Sequence, residues 1–440
     1  MNLPKHVKAI ITTLENAGFE GYAVGGCVRD TLLGKIPDDW DITTSAAPQQ
    51  VKGLFSRTID TGIQHGTVTV LMEKETYEVT TYRIDGEYED GRHPKEVVFT
   101  ANLLEDLKRR DFTINAMAYN DKSGIVDAFG GIQDLENKVI RCVGEPAERF
   151  TEDALRMMRA VRFSGQLGYE IEEKTGQAVT QLAPTLSKIS AERICTELTK
   201  LMVSPNPDYL RKAYELGMTK VFLPEFDAVM KTPQNNPHHC YSAGEHILHS
   251  LLYVRPDKVL RFSMLFHDFG KAVTRTTDED GIDHFHGHVE QSAAMADRIM
   301  KRLRFDNDTR EKVVRLVKYH DLEIGLTKKA VRRAIVKVGE ELFPYLLEVK
   351  KADVLAQSMY LREEKEEELQ QLETLFKEIV ASKDCTSVRM LAVNGSDLIA
   401  AGMKPGKELG ETLKRLLELV LEDPSLNTKE YLLSQISPTE

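Results

Sequence analysis

Residues 21–44 read GYAVGGCVRDTLLGKIPDDWDITT, and this stretch decides the fold. Gly21–Val24 is a short apolar run with a strand signal, Gly25–Gly26 permits a tight turn, and the run from about Val28 predicts a helix. A strand, a glycine turn and a helix N-terminus bring backbone N–H groups towards one anion, and a triphosphate is the natural guest. Gly26 lies in that turn and Arg29 follows as a phosphate donor. Ten residues on, DDWDITT predicts extended chain in which Asp39 and Asp41 share one face and Trp40 takes the other. Two carboxylates that close repel unless cations lie between them, and carboxylate oxygens are the ligands Mg²⁺ prefers. Two such ions, one activating a 3′ hydroxyl and one holding a triphosphate, are what nucleotidyl transfer requires. Taken alone, GG also fits an ordinary turn, and DxD fits a polar loop before a strand.

Working outward, Thr67–Met72 and Thr76–Arg83 are rich in Thr, Val and Tyr and are separated by the polar Glu73–Glu75, which predicts two more strands. Glu78 on the second is a candidate third carboxylate or an exposed strand glutamate. Residues 1–137 thus read as a small mixed α/β head, the catalytic part of a multidomain α+β chain. From about Gln133 the apolar spacing turns helical. Gly and Pro punctuation divides the remainder into a helical neck (138–205), a helical body (206–350) and a helical tail (351–440). In the last, Leu369, Leu372, Phe376 and Ile379 repeat at helical spacing within Leu361–Ala381, beneath the solvated charge run EEKEEE.

At 440 residues the chain exceeds one core. Its N-terminus reads as an amphipathic helix, and no run of about 18 apolar residues follows, so a cytoplasmic location and no membrane partner are expected. Five scattered cysteines, Cys27, Cys142, Cys195, Cys240 and Cys385, never form CxxC, which argues against a disulfide framework or a zinc knuckle. The formal charge of −11 weakens a generic nucleic-acid-binding reading. A local basic channel acting within about one Debye length, ~8–10 Å, remains compatible with it.

In TEDALRMMRAVRF, a rotation of about 100° per residue places Glu152, Asp153, Arg156 and Arg159 on one side, with Arg162 at the border. Ala154, Met157, Met158 and Val161 fall on the other. An acceptor beside donors matches the pairing edges of cytosine and adenine, while uracil and guanine offer the reverse. The competing reading is an (i, i+3) salt bridge at a helix start.

The ordered segments AVGGCVRDTLLG, DDWDITT, EVTTYR, RRDFTINAMAYN, EDALRMMRAVRF and SAERICTEL resemble the head and neck motifs of class II CCA-adding tRNA nucleotidyltransferases, over roughly residues 20–200. The resemblance implies a polymerase-β-like head with Asp39 and Asp41 as carriers of two Mg²⁺ ions. It implies that Gly26 and Arg29 contact the nucleotide and that Arg110 in RRDFT reaches its triphosphate or ribose. Glu152, Asp153 and Arg156 match the family's nucleotide-selecting EDxxR motif, with Arg159 and Arg162 beside it. The substrates so implied are CTP, ATP and a tRNA 3′ end, with no obligate protein partner evident. YEDGRHP, within Ile84–Thr100, resembles the flexible loop used for switching to AMP. In VNGSDLIAAGMKPGKELGETLKRLLELVL, glycine turns at Gly395, Gly402 and Gly406 introduce a helix from about Glu408. The matching family segment grips the tRNA elbow, so Lys404, Lys407, Lys414 and Arg415 become phosphate-contact candidates.

A second constellation comprises His246 in AGEHILHS, His267–Asp268 in MLFHDFGK, His286 and His288 in HFHGH, and Asp321 in VKYHD. Its order resembles the HD phosphohydrolase superfamily, which assigns His246, His267, Asp268 and Asp321 to a second divalent metal, with His288 a further ligand or a substrate contact. The rival readings are an A-adding enzyme or a bacterial poly(A) polymerase of the same family, an HD phosphohydrolase with a degenerate head, and a non-enzymatic RNA-binding protein. Retention of Asp39, Asp41 and Arg110 favours the transferase.

Overall fold

The computed structural model describes residues 1–85 and 97–436, which form two compact units, Met1–Pro224 and Glu225–Glu440. In the first, helix Lys5–Asn16 buries Val7, Ile10, Ile11 and Leu14, the spacing of one helical face. A seven-stranded sheet is built from β1 (Gly21–Val24), β2 (Ile42–Thr44), β3 (Thr58–Gly62), β4 (Thr67–Met72) and β5 (Glu75–Thr81), together with two later strands. The small hairpin β6 (Arg83–Asp85) and β7 (Val97–Phe99) stands apart, followed in the main sheet by β8 (Met117–Asn120) and β9 (Gly124–Asp127). The order is β3-β4-β5-β2-β1-β8-β9, and only the β2–β5 pair is parallel. The β4–β5 turn lies at Glu73, whose φ of 55° shows where the chain reverses. YEDGRHP lies outside the described residues.

The sequence reading needs one correction in the neck. Helix Pro146–Glu152 ends, Asp153 adopts extended angles (φ −144°, ψ 104°), and a new helix runs Leu155–Leu167. The cause is local: Asp153 Oδ1 accepts the Leu155 N–H at 3.0 Å, an aspartate offering the backbone an alternative to helix continuation. The common-face argument therefore holds for Arg156, Arg159 and Arg162 but not for Glu152 and Asp153. The apolar side is as expected, with Ala154, Met157, Met158 and Val161 all buried.

Two expected boundaries also move. Residues after 205 belong with the neck, because Asn206 Nδ2 donates to Gly165 O at 2.8 Å, and the first unit continues to Pro224. The 350/351 boundary falls inside helix Phe343–Ala356, which cannot be divided between body and tail. The second unit is otherwise helical, as expected, except for a two-residue hairpin, Thr276–Thr277 with Asp283–His284. Helix Arg362–Ala381 matches the predicted charged helix, with Leu372 and Ile379 buried. In the C-terminal part, Leu398, Leu416, Leu417, Val420, Leu421 and Leu432 form a core of their own. Gly395 lies in helix Gly395–Ala400, capped by Asn394, instead of in a turn; Gly402 and Gly406 do have positive φ, and helix Lys407–Glu422 follows. Lys404, Lys407, Lys414 and Arg415 are exposed. No helix among the described residues is long and apolar enough to cross a membrane.

Candidate active site and a buried histidine cluster

Strand topology assembles the head site. β1 runs antiparallel to β2, so its end meets the start of β2, and Val24 N–H donates to Asp41 O at 3.0 Å. That delivers Gly25–Gly26 beside the carboxylates. β5 runs parallel to β2 with Ile42 opposite Val79, which puts Asp41 and Glu78 at the same level. Ile42 and Val79 are buried, so alternation turns the preceding acids to the opposite face. Asp39 and Asp41 lie in the extended segment just before β2, not within the strand. The Asp41 carboxyl is pushed up to about 6, first by the surrounding protein mass and then by the charges of Asp39 and Glu78, while Arg110 opposes the rise. A cation among these oxygens would relieve that crowding, so the donor set fits Mg²⁺.

Arg110 approaches from the other side. A Cβ on Gly25 would meet its Nη1 at 2.9 Å, and Gly25 has φ 80°, so side-chain absence and backbone freedom are both needed there. Helix Gly26–Leu32 starts two residues earlier than expected. Arg110 Nη2 stands 3.7 Å from Asp106, and its buried Nε makes no hydrogen bond. Asp106 is itself fixed by Arg109 at 2.7 Å and by Thr43 at 3.3 Å.

The other expected arginines are more engaged. Arg29 is buried, paired through Nε and Nη2 with Asp30 at 2.9 Å, and donates from Nη1 to Asn115 Oδ1 at 2.6 Å. Asn115 donates to Asp111 at 3.2 Å, and Asp111 accepts from Arg159 at 2.6 Å. Burial alone would raise the Asp111 carboxyl, but Arg159 and Asn115 hold it down at about 2. Arg162 pairs with Glu197 at 2.6 Å, and burial lowers its pKa to about 10. Arg29, Arg159 and Arg162 all stand over the Phe163 ring, at 5.1, 5.4 and 3.9 Å.

Asp153 and Arg156 each have partners of their own. Asp153 Oδ2 accepts from Arg193 at 2.7 Å. Arg156 bonds Glu152, the Arg149 carbonyl at 3.0 Å and the Arg109 carbonyl at 3.0 Å. Arg193, Asp111 and Asn115 were not singled out from sequence, although SAERICTEL and RRDFTINAMAYN contain them.

In the second unit, His246 Nε2 and His267 Nε2 approach to 3.3 Å. Asp268 Oδ2 lies 3.6 and 3.3 Å from them, and Asp353 Oδ1 lies 2.8 and 3.6 Å away. Asp353, on helix Phe343–Ala356, thus stands where Asp321 was expected. Asp321 and Asp353 line the same adjoining cavity, and neither carboxyl is in the two groups of converging ligand atoms among the described residues; the contacts of Asp353 to His246 and His267 distinguish it. Burial raises the pKa of Asp321. His320, its neighbour, does join the cluster, as does His288. His286 stacks on His284 instead, at 5.8 Å. Asp353 carried one usable sequence signal, a charged residue on the same helix face as the buried Val349 and Ala356. Nitrogen and carboxylate donors together fit a transition-metal ion.

Residues 21–141 match the model of the poly A polymerase head domain, and residues 274–436 match that of tRNA nucleotidyltransferase domain 2. The chain is 39% identical over 425 residues to the CCA-adding enzyme of Lactobacillus helveticus, covering 96% of this chain and 94% of that one. It is 36% identical over 447 residues to the CCA-adding enzyme of Streptococcus suis, covering 98% and 97%. The structure of the Bacillus stearothermophilus CCA-adding enzyme in complex with CTP superposes with a TM-score of 0.74 at 31% identity, covering 99% of this chain and 97% of that one. With relatives of near-equal length matched over nearly the whole chain and the fold shared with one of them, the chain belongs to the CCA-adding enzyme family of nucleotidyltransferases.

Proposed function

We propose that this chain adds CMP, CMP and AMP to the 3′ end of tRNA without a template, using Asp39 and Asp41 as the metal-holding catalytic pair. The carrying observation is the crowding of Asp39, Asp41 and Glu78 on one sheet edge, with Arg110 facing them and Gly25–Gly26 alongside. Two Mg²⁺ ions held there would supply Lewis-acid activation of the 3′ hydroxyl and neutralisation of the triphosphate. Arg110, whose charge acts on Asp41 and which lies against Gly25, is the proposed binder of the triphosphate or ribose. Gly26 and Arg29 belong to the same turn and helix; Arg29, locked by Asp30 and Asn115, orients the turn as much as it contacts nucleotide. Asp153 offers an acceptor and Arg156 donors to the base edge, each held by its own neighbour, Arg193 and Glu152. Arg159 and Arg162, stacked over Phe163 and paired with Asp111 and Glu197, are proposed as supports for that helix face.

The test is incubation with tRNAs ending before the CCA, after its first C and after its second, each NTP being supplied separately. Addition of C, C and then A supports the reading; addition of A only to the last substrate identifies an A-adding enzyme. For the tail, exposed Lys404, Lys407, Lys414 and Arg415 are proposed to position the tRNA elbow through phosphate contacts. Removing residues from Ser382 should then weaken full-length tRNA more than a minihelix lacking the elbow.

A second reading concerns the histidine cluster, a proposed HD-type metal site acting on phosphoesters. The convergence of His246, His267, Asp268 and Asp353 favours it. An ion held there would supply a lowered pKa for a bound water.

A further inference from the structure

We propose that Asn115 is a positioning residue that couples the choice of base to the grip on the triphosphate. This rests on the transferase reading. The Asn115 amide joins Arg29, on the helix Gly26–Leu32 that opens after Gly25, to Asp111, and Asp111 joins Arg159, on helix Leu155–Leu167. Arg29 Nη1 lies 2.6 Å from Asn115 Oδ1, Asn115 Nδ2 lies 3.2 Å from Asp111 Oδ1, and Arg159 Nε lies 2.6 Å from Asp111 Oδ2. A guanidinium only donates and a carboxylate only accepts, so the amide has one allowed orientation. Turned over, it would set donor on donor and acceptor on acceptor. Arg29, Asn115 and Asp111 are buried, so a joint that opens leaves a polar group unpaired where water does not replace it.

Charge balance does not call for Asn115. Arg29 has Asp30 at 2.9 Å, Arg159 has Asp111 at 2.6 Å, and Arg162 has Glu197 at 2.6 Å. Between ion pairs that are already matched, a neutral amide supplies direction and length instead of charge. A ring contact adds a second tie between the same elements. Arg29 and Arg159 stand 5.1 and 5.4 Å from the centroid of Phe163, and that ring meets Phe112 edge-on at 5.8 Å. The segment that carries Asp111, Phe112 and Asn115 is thus clamped to helix Leu155–Leu167 by an ion pair and by a ring.

On its other side the segment borders the glycine turn. The Asn115 carbonyl oxygen stands 3.7 Å from where a Cβ of Gly25 would lie, and Gly25 N–H donates to Met117 O at 3.0 Å. Asp153 is tied to the first residue of helix Leu155–Leu167 by its 3.0 Å bond to the Leu155 N–H, and Arg156 belongs to that helix. A base that pairs with Asp153 and Arg156 therefore sets the helix in place. A base that does not pair displaces it and, through Asp111 and Asn115, displaces Arg29 beside the turn. Wrong bases are then rejected at the triphosphate as well as at the base edge, which places part of the selectivity in kcat and not only in KM.

The experiment measures kcat and KM for CTP and for UTP on tRNA lacking its CCA, with the full chain as parent, Asn115→Ser and Asn115→Asp. Asn115→Ser removes both halves of the bridge; Asn115→Asp keeps the acceptor for Arg29 and loses the donor to Asp111. In each variant the ratio of kcat for CTP to kcat for UTP should fall on the order of 10-fold, with the ratio of KM values little changed. Combined with Asp153→Ala, Asn115→Asp should change that ratio by less than the product of the two single effects, as two joints of one chain do. Where Asn115→Ser fails to fold, the nearly isosteric Asn115→Asp decides. A lower kcat for both nucleotides at constant ratio, or a fully multiplicative combination, makes Asn115 a structural amide and overturns the coupling alone. A parent that joins no nucleotide to any tRNA overturns the transferase reading and the coupling together.

Discussion

The carboxylate edge of the head and the histidine cluster of the second unit both gather anionic groups, but they are built in opposite ways. The head edge is open, with Asp39, Asp41 and Glu78 exposed and like charges left facing one another, Arg110 the cation set against them. The cluster is enclosed: His246, His267 and Asp268 are fully buried, and backbone carbonyls fix the imidazoles. An open oxygen-only edge suits an ion that arrives with its nucleotide and leaves with pyrophosphate. A closed nitrogen-rich cage suits an ion that stays. On the two proposed readings, site construction would separate a substrate-borne cation from a resident one.

The largest expected effect breaks the comparison on the head side. Asp41→Ala should lower both CMP and AMP incorporation by on the order of 10³-fold or more, because metal-assisted neutralisation of the triphosphate is lost. tRNA affinity and Mn²⁺ retained by the cluster should stay unchanged. AMP addition at the parental rate would refute the assignment of Asp41.

The second effect sharpens it on the other side. A resident ion stabilises the fold that binds it, by about 2.7 kcal/mol when present at ~100 times its Kd. Thermal unfolding followed with and without chelator should show a lower transition for the stripped second unit, restored by Mn²⁺ and not by Mg²⁺. Asp353→Asn should remove most of that Mn²⁺ response. Asp321→Asn, which leaves the 2.8 Å contact between Asp353 and His246 in place, should retain it. The reverse ranking would return Asp321 to the place expected from sequence.

These contrasts also explain what was legible in the sequence. β1 and β4 were readable to the residue because a short apolar run ending at a glycine turn and a Thr/Val-rich run ending at a polar turn leave few alternatives. The strand carrying Glu78 was readable from its Thr, Val and Tyr content, while the sequence left open whether Glu78 joins Asp39 and Asp41 or is an exposed strand glutamate. Asp353 was not readable, since it lies 85 positions beyond Asp268 on a helix whose Glu348, Lys350 and Lys351 make one more charged residue unremarkable, and only tertiary packing brings it to His246. The break at Asp153 was missed because helical periodicity ignores a side chain that caps its own backbone. Arg29 reads in sequence as a phosphate donor, and its engagement with Asp30 and Asn115 appears only once the turn is built.

A third effect tests whether the head, for all its open edge, rests on a closed ion pair of its own. The folded-state carboxyl of Asp111 is held at about 2 against its ordinary 3.8, a depressed acid, so its contribution is full above pH about 4 and fades as pH falls through 2. The shift corresponds to roughly 2 kcal/mol at pH 7 and about half that at pH 3. Asp111→Asn should therefore cost the first unit on the order of 2 kcal/mol in urea unfolding at neutral pH, with the gap to the parent narrowing at pH 3. A pH-independent gap would mean that the loss comes from packing around Arg159 and not from the charge.

The smallest effect concerns selection of the incoming base, where Asp153 and Arg156 are held by separate partners. Asp153→Ala should admit UMP, reducing the preference for CMP over UMP by roughly 10–100-fold, because a site lacking its acceptor no longer leaves buried groups unsatisfied with the wrong base. Arg193→Ala should act in the same direction but less, since Asp153 keeps its Leu155 contact and loses only the 2.7 Å bond to Arg193. The informative quantity is the ratio of kcat/KM for CTP to that for UTP, set against kcat for CTP alone. Positioning predicts a changed ratio, partly recovered in Arg193→Lys, which restores a single donor. A structural role for Arg193 predicts a lower kcat for both nucleotides at constant ratio, and that outcome would leave Asp153 to select the base unaided.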